Sequence, residues 1–381
     1  MRTAAPELVR PGLLDDLLAR TRGGKAFLLA GPQGAGKTTA LRALSAALLR
    51  EGWVPVYLDL MGAASSPDRF VVAALKALPA ERFGPHLARA TEIRRLAGSG
   101  KDKGADAVAA LFALWAGLDD AQGRPVALLL DEATEIRSLA YFASLRQVDK
   151  AFATALGQRR RGTVLATSYP TLARRMWPSL PVVDTPALTA ADLAAAARKA
   201  RVDPEALARA SFGWPRYARI LLEAAAEAGG LAAAWEAEMA EGGRLETACR
   251  HTYESLLLRS RGYGMSKAVL AAVAQEEGLN LTALVARLGR TPGAIRDYLG
   301  WLLGVDALRM TKKRYAYVDG MVRQWVRLHA RGTPASPAEL RAAAQESVGG
   351  EGPAGERGTA DADAEPSAPP PRRPGLVEDL L

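Results

Sequence analysis

The stretch Lys25–Arg50, KAFLLAGPQGAGKTTALRALSAALLR, decides the fold. Its opening apolar run is strand-sized, and its last fourteen residues carry a helical pattern. Between them, Gly31-Pro32-Gln33-Gly34-Ala35-Gly36-Lys37-Thr38 fits G-x-x-x-x-G-K-[S/T] in full, and strand-then-helix is the context that this motif requires. The glycines let backbone N–H groups close around phosphate oxygens without a Cβ clash. The helix starting near Gly36 turns its positive end toward them. Lys37 brings a point charge to the β and γ phosphates, and Thr38 a hydroxyl to Mg²⁺. Together with Thr39, this loop is the expected nucleotide-binding segment.

Working outward, Val54–Leu60 (VPVYLDL) reads as a second strand, Val126–Leu130 as a third, Thr163–Thr167 as a fourth and Pro181–Asp184 as a weaker fifth. Ser66-Pro67-Asp68 starts a helix after the second, with Ser66 as N-cap. Strands separated by helices imply parallel crossover units, hence a doubly wound α/β sheet. Gly84–Lys103, charged and glycine-containing, reads as an insertion or mobile loop.

The third strand ends in Asp131-Glu132. At the carboxyl end of a central strand, Asp131 is placed to hold Mg²⁺ through water and Glu132 to activate the attacking water. The fourth strand ends in Thr167-Ser168, either of which could hydrogen-bond the γ-phosphate or the water. Arg174 and Arg175, a turn or two beyond, are candidate arginine fingers toward a neighbouring subunit's nucleotide, which would make the protein a homo-oligomer. Arg159-Arg160-Arg161 suits a helix end or an anionic partner.

From Thr189 the strand signal stops. Residues 189–249 are Ala-rich and helical, broken at Asp203-Pro204, Gly213-Trp214-Pro215 and Gly229-Gly230. Residues 250–331 read as helices at Lys267–Gly278 and Leu281–Leu288, a turn at Gly289-Arg290, a third helix capped by Thr291 with Pro292 at its first position, and two strands around Thr311-Lys312-Lys313-Arg314. That order predicts a winged helix. Its third helix would enter a DNA major groove and its hairpin would touch backbone, with Arg290, Thr291, Arg296, Lys312, Lys313 and Arg314 as contacts. Winged helices also serve protein contacts. Trp325 reads as core. Residues 332–381 are rich in Pro, Ala, Gly and acids, and are expected to be disordered.

The 381 residues suit two to three domains of about 150 residues. One cysteine, Cys249, excludes a disulfide framework, and three scattered histidines argue against a histidine metal centre. No apolar run nears the roughly 20 residues of a membrane span, and no signal-peptide pattern begins the chain, so a soluble, cytoplasmic protein is expected. The net charge of +9 conceals an uneven distribution. Residues 250–330 hold 13 Lys and Arg against six acids, and residues 341–381 hold four against eight. A basic excess of this kind suits an anionic partner.

With phosphate loop, acid pair, polar fourth-strand end and Gly213-Trp214-Pro215-Arg216 in order, the chain resembles P-loop ATPases of the AAA+/STAND group, and within it the archaeal-type ATPases with a C-terminal winged helix, relatives of the origin-recognition ATPases. The resemblance covers roughly residues 9–329. It implies an α/β P-loop NTPase core (1–188), a helical lid (189–249), a winged-helix domain (250–331) and a disordered tail (332–381). It also implies adenine nucleotide rather than guanine, with Pro215 and Arg216 of the lid at the nucleotide and Val9-Arg10-Pro11 matching loosely the arginine-bearing segment before the loop. The expected activity is ATP hydrolysis with Mg²⁺, driving a switch that acts on DNA or a partner protein. A DNA replication or transposition helper, or a slowly hydrolysing signalling switch with the winged helix on protein, are the alternatives.

Overall fold

The computed structural model describes residues 8, 10–78, 84–99, 103–118, 123–159 and 162–349. The first half runs α1 (Pro11–Arg22), β1 (Phe27–Ala30), α2 (Lys37–Arg50), β2 (Val54–Asp59), α3 (Leu60–Ala63), α4 (Pro67–Lys76), α5 (Leu87–Ala97), α6 (Gly104–Ala116), β3 (Val126–Asp131), a 3-10 stretch over Ala133–Tyr141, α7 (Val148–Gly157), β4 (Thr163–Thr167), α8 (Pro170–Met176) and β5 (Val182–Asp184). The strands form one parallel sheet in the order β2-β3-β4-β1-β5. Every residue of β1, β3 and β4 is buried, as a parallel sheet covered on both faces requires. On one face, Leu28, Val56 and Leu130 meet an aromatic cluster of Phe70, Phe112, Trp115 and Phe152. On the other, Leu29 and Leu129 meet Leu41 and Leu48 of α2 and Leu17 of α1. The strand order sets β4 between β1 and β3. The end of β4 therefore stands between the phosphate loop and Asp131-Glu132.

Residues 84–103 are not the insertion or loop that their charge suggests. Residues 84–86 form a 3-10 turn and Leu87–Ala97 form α5, packed against α4 and α6. Ile93 and Ala97, one helical turn apart, are the buried anchors, and two small apolar positions in a charged run are easily overlooked in sequence. Residues 100–102 lie outside the described residues, as do Arg160 and Arg161 of the arginine run.

The second half runs α9 (Ala190–Ala200), α10 (Pro204–Ala210), α11 (Pro215–Ala228), α12 (Leu231–Met239), α13 (Arg244–Arg259), α14 (Tyr263–Gln275), α15 (Leu281–Leu288), α16 (Pro292–Gly304), β6 (Leu308–Thr311), β7 (Arg314–Tyr317), α17 (Gly320–His329) and α18 (Pro337–Gly349). Side-chain caps punctuate it. Thr189 and Asp192 form a capping box, and Asp203, Asn280 and Thr291 cap α10, α15 and α16. One apolar core runs from Leu188 to Ala344, across the expected boundaries near residues 249 and 331. Within it the Tyr217 hydroxyl donates to buried Asp319 at 2.6 Å, and Asp319 also accepts from the N–H groups of Met321 and Val322 to cap α17. Trp325 is core, its indole N–H donating to Glu246. No helix among the described residues is long and apolar enough to cross a membrane.

Residues 337–349, expected to be disordered, form α18 instead. Ser336 and Glu339 make a capping box, and Leu340, Ala343 and Ala344 face α10 and α12. Composition averaged over residues 332–381 conceals this short amphipathic stretch. The remainder of the expected tail, 350–381, lies outside the described residues. Leu340 is 6% exposed. We expect Leu340→Ala to lower unfolding free energy by about 2–3 kcal/mol, measured by urea denaturation; a loss below ~0.5 kcal/mol would mean that α18 adds nothing to the core.

Candidate functional site

The phosphate loop turns through left-handed backbone at Gly34 (φ 86°) and Gly36 (φ 90°). Side chains there would also collide. A Cβ on Gly34 would lie 3.0 Å from Nε of Arg216, and one on Gly36 would lie 3.3 Å from Arg10 and from Pro215. The loop is thus backed by the segment before α1 and covered by the start of α11. The Arg10 guanidinium is buried, donates to the Ala35 carbonyl at 2.9 Å, and is pushed down to about 10 by desolvation.

Lys37, the first residue of α2, is buried. Its ammonium donates to the carbonyls of Gly31 (2.9 Å) and Pro32 (3.1 Å) and to Oγ of Ser168 (2.9 Å), and lies 3.8 Å from Glu132. Burial pushes its pKa down, and the charges of Glu132 and Asp131 oppose that shift. Thr38 donates to Oδ2 of Asp131 at 2.6 Å, and the Tyr57 hydroxyl donates to the same oxygen at 2.9 Å. Burial and Asp131 together push the Tyr57 phenol up, so it stays a donor.

Glu132 sits in left-handed backbone (φ 47°) just past β3. That geometry aims its carboxylate across the end of β4. Oε2 accepts from the Ser168 N–H at 3.0 Å and Oε1 from the Ser168 hydroxyl at 2.5 Å. Burial raises its pKa, while Lys37 and Ser168 pull it down.

These groups line one cleft of 630 Å³, together with Leu8, Thr39, Asp59, Pro215, Arg216 and two residues that the motifs do not announce, Arg42 and Arg219. Arg42 stands one helical turn past Thr38, and Arg219 one turn past Arg216. The structure separates the two candidates at the end of β4. Ser168 faces the cleft. Thr167 is fully buried, hydrogen-bonded to Thr134 and to the Tyr169 N–H, and does not line it.

Arg174 and Arg175 do not line the cleft either. Arg174 pairs with Asp184 at 3.6 Å, and Arg175 lies beside Gly304 at the end of α16. Their helix is clasped from the C-terminal half. Asp306, between α16 and β6, accepts from the Thr171 N–H at 3.1 Å and from the Thr171 hydroxyl at 2.6 Å. Arg259 of α13 pairs with Glu135 at 2.8 Å and lies over the Tyr169 ring at 4.5 Å. Thr252 of α13 contacts both Gln33 of the loop (3.2 Å) and Arg216 (3.3 Å). Sequence spacing carries no signal for these tertiary contacts. Arg290, Thr291, Arg296, Lys312, Lys313 and Arg314 are all exposed, at the start of α16 and on the β6–β7 hairpin.

No family model and no curated protein matches this sequence. Among solved structures, a Walker-type ATPase of Pyrococcus abyssi is similar over 84% of this chain and 96% of its own, with a TM-score of 0.62 at 14% identity. This chain shares that fold. A RuvB mutant of Thermotoga maritima (TM-score 0.35, 16% identity, 80% of this chain and 88% of its own) and Cdc6p of Pyrobaculum aerophilum (0.38, 15%, 91% and 97%) also match.

Burial pushes the Asp306 carboxyl up to about 6, against the pull of its Thr171 bonds and of Arg174 and Arg175. The folded chain therefore holds this proton more tightly than an unfolded one, whose aspartate titrates near 3.9. The contribution of Asp306 to stability consequently falls as pH rises from about 4 to about 6. Asparagine keeps an acceptor for Thr171, tolerates the left-handed backbone at this position and carries no charge. We expect Asp306→Asn to melt ~2 °C or more above wild type near neutral pH, with the gap closing toward about pH 4. Parallel melting curves across that range would show that Asp306 does not titrate in this way.

Proposed function

We propose that this chain is an ATP-binding switch that hydrolyses ATP slowly and passes its nucleotide state to a winged helix, formed by α14–α17 with β6 and β7, that contacts duplex DNA. The convergence of the Lys37 ammonium, the Thr38 hydroxyl and the Asp131-Glu132 carboxylates in one cleft under the Pro215-Arg216 helix start carries the reading. Thr38 and Asp131 are hard oxygen donors 2.6 Å apart, which suits Mg²⁺. When bound, that ion neutralises charge on the β and γ phosphate oxygens. Tyr57 orients Asp131 toward it. Adenine is the base that the family resemblance implies.

In hydrolysis, a water oxygen bonds to the γ-phosphorus as the bond from phosphorus to the β–γ bridging oxygen breaks. Glu132 takes the water's proton, and its raised pKa brings it closer to neutrality, where a general base works best. Lys37 neutralises charge on the γ oxygens. Both oxygens of Glu132 are engaged by Ser168. Water competes with those bonds for the carboxylate, which supports slow turnover.

For DNA, the distribution of ion pairs supports the reading. Arg287, Arg323, Arg327 and Arg331 pair with Glu276, Glu277, Glu346 and Glu339. Arg290, Arg296, Arg309, Lys312 and Lys313 are exposed and form no ion pair among the described residues. Lys312 (φ 49°) and Lys313 (φ 62°) both adopt left-handed backbone at the hairpin tip. That turn favours Asn-Gly, and each lysine costs roughly 1–2 kcal/mol there. Retaining two cations at that cost suits a phosphate contact.

Two measurements test this. Lys37→Ala should abolish MgATP binding, and Glu132→Gln should keep binding while lowering kcat by ~100-fold or more; wild-type turnover in both variants would overturn the hydrolytic reading. Duplex DNA should bind at about 50 mM salt with a steep salt dependence, and the double change Lys312→Ala, Lys313→Ala should flatten the log–log slope by about 2. Absence of duplex binding at that salt would assign the winged helix to protein contacts.

A further inference from the structure

α13 crosses from the C-terminal core to the phosphate end of the cleft. Thr252, Leu256 and Arg259 follow one another at spacings of four and three, so they share a stripe of the helix. Each meets a different part of the site's edge. The Thr252 hydroxyl accepts from the Arg216 guanidinium at 3.3 Å and shares its proton between Gln33 Oε1 (3.2 Å) and the Ala248 carbonyl (2.9 Å). Leu256 lines a 30 Å³ cavity with Gln33, Ser168 and Tyr169. Arg259 pairs with Glu135, three residues past Glu132, and covers Tyr169, next to Ser168.

Thr252 is 5% exposed, and all three contacts depend on its hydroxyl. The main-chain N–H of Arg216 approaches the Gly34 carbonyl at 3.4 Å, and its side chain lies against Gly34. Arg216 thus lies against the Gln33-Gly34 part of the loop, and Thr252 from α13 touches the side chains of both Gln33 and Arg216. Without the hydroxyl, Arg216 has more freedom to turn, and Gln33 loses its anchor on α13.

We propose that Thr252 is a positioning residue of the nucleotide site, fixing Gln33 and Arg216 from α13 so that the seating of the C-terminal half sets how well the terminal phosphate is gripped. This rests on the reading of the cleft as an ATP site. The effect falls on the terminal phosphate because Gln33 shares a cavity wall with Ser168, and Gln33 and Arg216 line the cleft with Lys37 and Glu132; ADP lacks the phosphate that those last two groups act on. The stripe also gives the switch a direct path: α13 belongs to the same apolar core as α14 and α17.

The test compares fluorescent ATP and ADP analogues, with Mg²⁺, on the full chain. Thr252→Val keeps the side-chain shape and removes the hydroxyl. We expect ATP affinity to fall about 5–10-fold, the scale of one net hydrogen bond, ADP affinity to change less than ~2-fold, and the Thr252→Ser variant to stay near wild type. In a Gln33→Ala background the effect of Thr252→Val should shrink, because one of its targets is gone. ATP affinity unchanged by Thr252→Val, or ATP and ADP weakened equally, overturns the proposal. Should Thr252→Val fail to fold, Thr252→Ala carries the same comparison. If wild type binds neither analogue, the ATP reading itself falls; binding by wild type with an indifferent Thr252 overturns this inference alone.

Discussion

A buried ammonium has to be surrounded by acceptors, and Lys37 is buried at the start of α2. Its partners come from three places at once: the loop's own carbonyls, Ser168 at the end of β4, and Glu132 past the end of β3. Local geometry supplies the carbonyls. The other two are supplied only if β4 lies between β1 and β3 with all three strands parallel, so that their carboxyl ends share an edge. The observed sheet order does this. Burial of the strands and solvation of the lysine are thus two aspects of one arrangement: the apolar runs drive the sheet together, and the sheet brings polar strand ends around a charge that could not otherwise leave water.

The second half of the chain is more than a cover. Its core is continuous from Leu188 to Ala344, and it meets the first half through polar contacts concentrated near the phosphate end: Thr252 with Gln33, Arg259 with Glu135 and Tyr169, and Asp306 with Thr171. Apolar side chains lie beside these polar contacts, with Leu256, Val305 and Val322 facing Pro32 and Tyr169 around one small cavity.

Much of the site was legible in sequence because its chemistry is local. The phosphate loop spans eight consecutive residues, and its glycines are needed for the left-handed turns at Gly34 and Gly36. Asp131 and Glu132 are marked by the apolar run before them. Caps at Ser66, Asp203 and Thr291 stand beside the prolines that announce them. Where the sequence offered a pair, it could not choose. Thr167 and Ser168 are both polar and adjacent, and only the pleat of β4 sends one inward to Thr134 and the other to Lys37 and Glu132.

The sequence by itself determined the parallel α/β core, the loop, the acid pair and the order of helices and hairpin, because each depends on neighbours within a few residues, through periodicity, capping or turn chemistry. The tertiary structure alone decided which residues complete the site. Tyr57 and Thr252 lie 74 and 219 residues from the groups they bind. It also decided that α5 and α18 are helices, since a few buried apolar side chains stabilise such segments only where a complementary surface receives them.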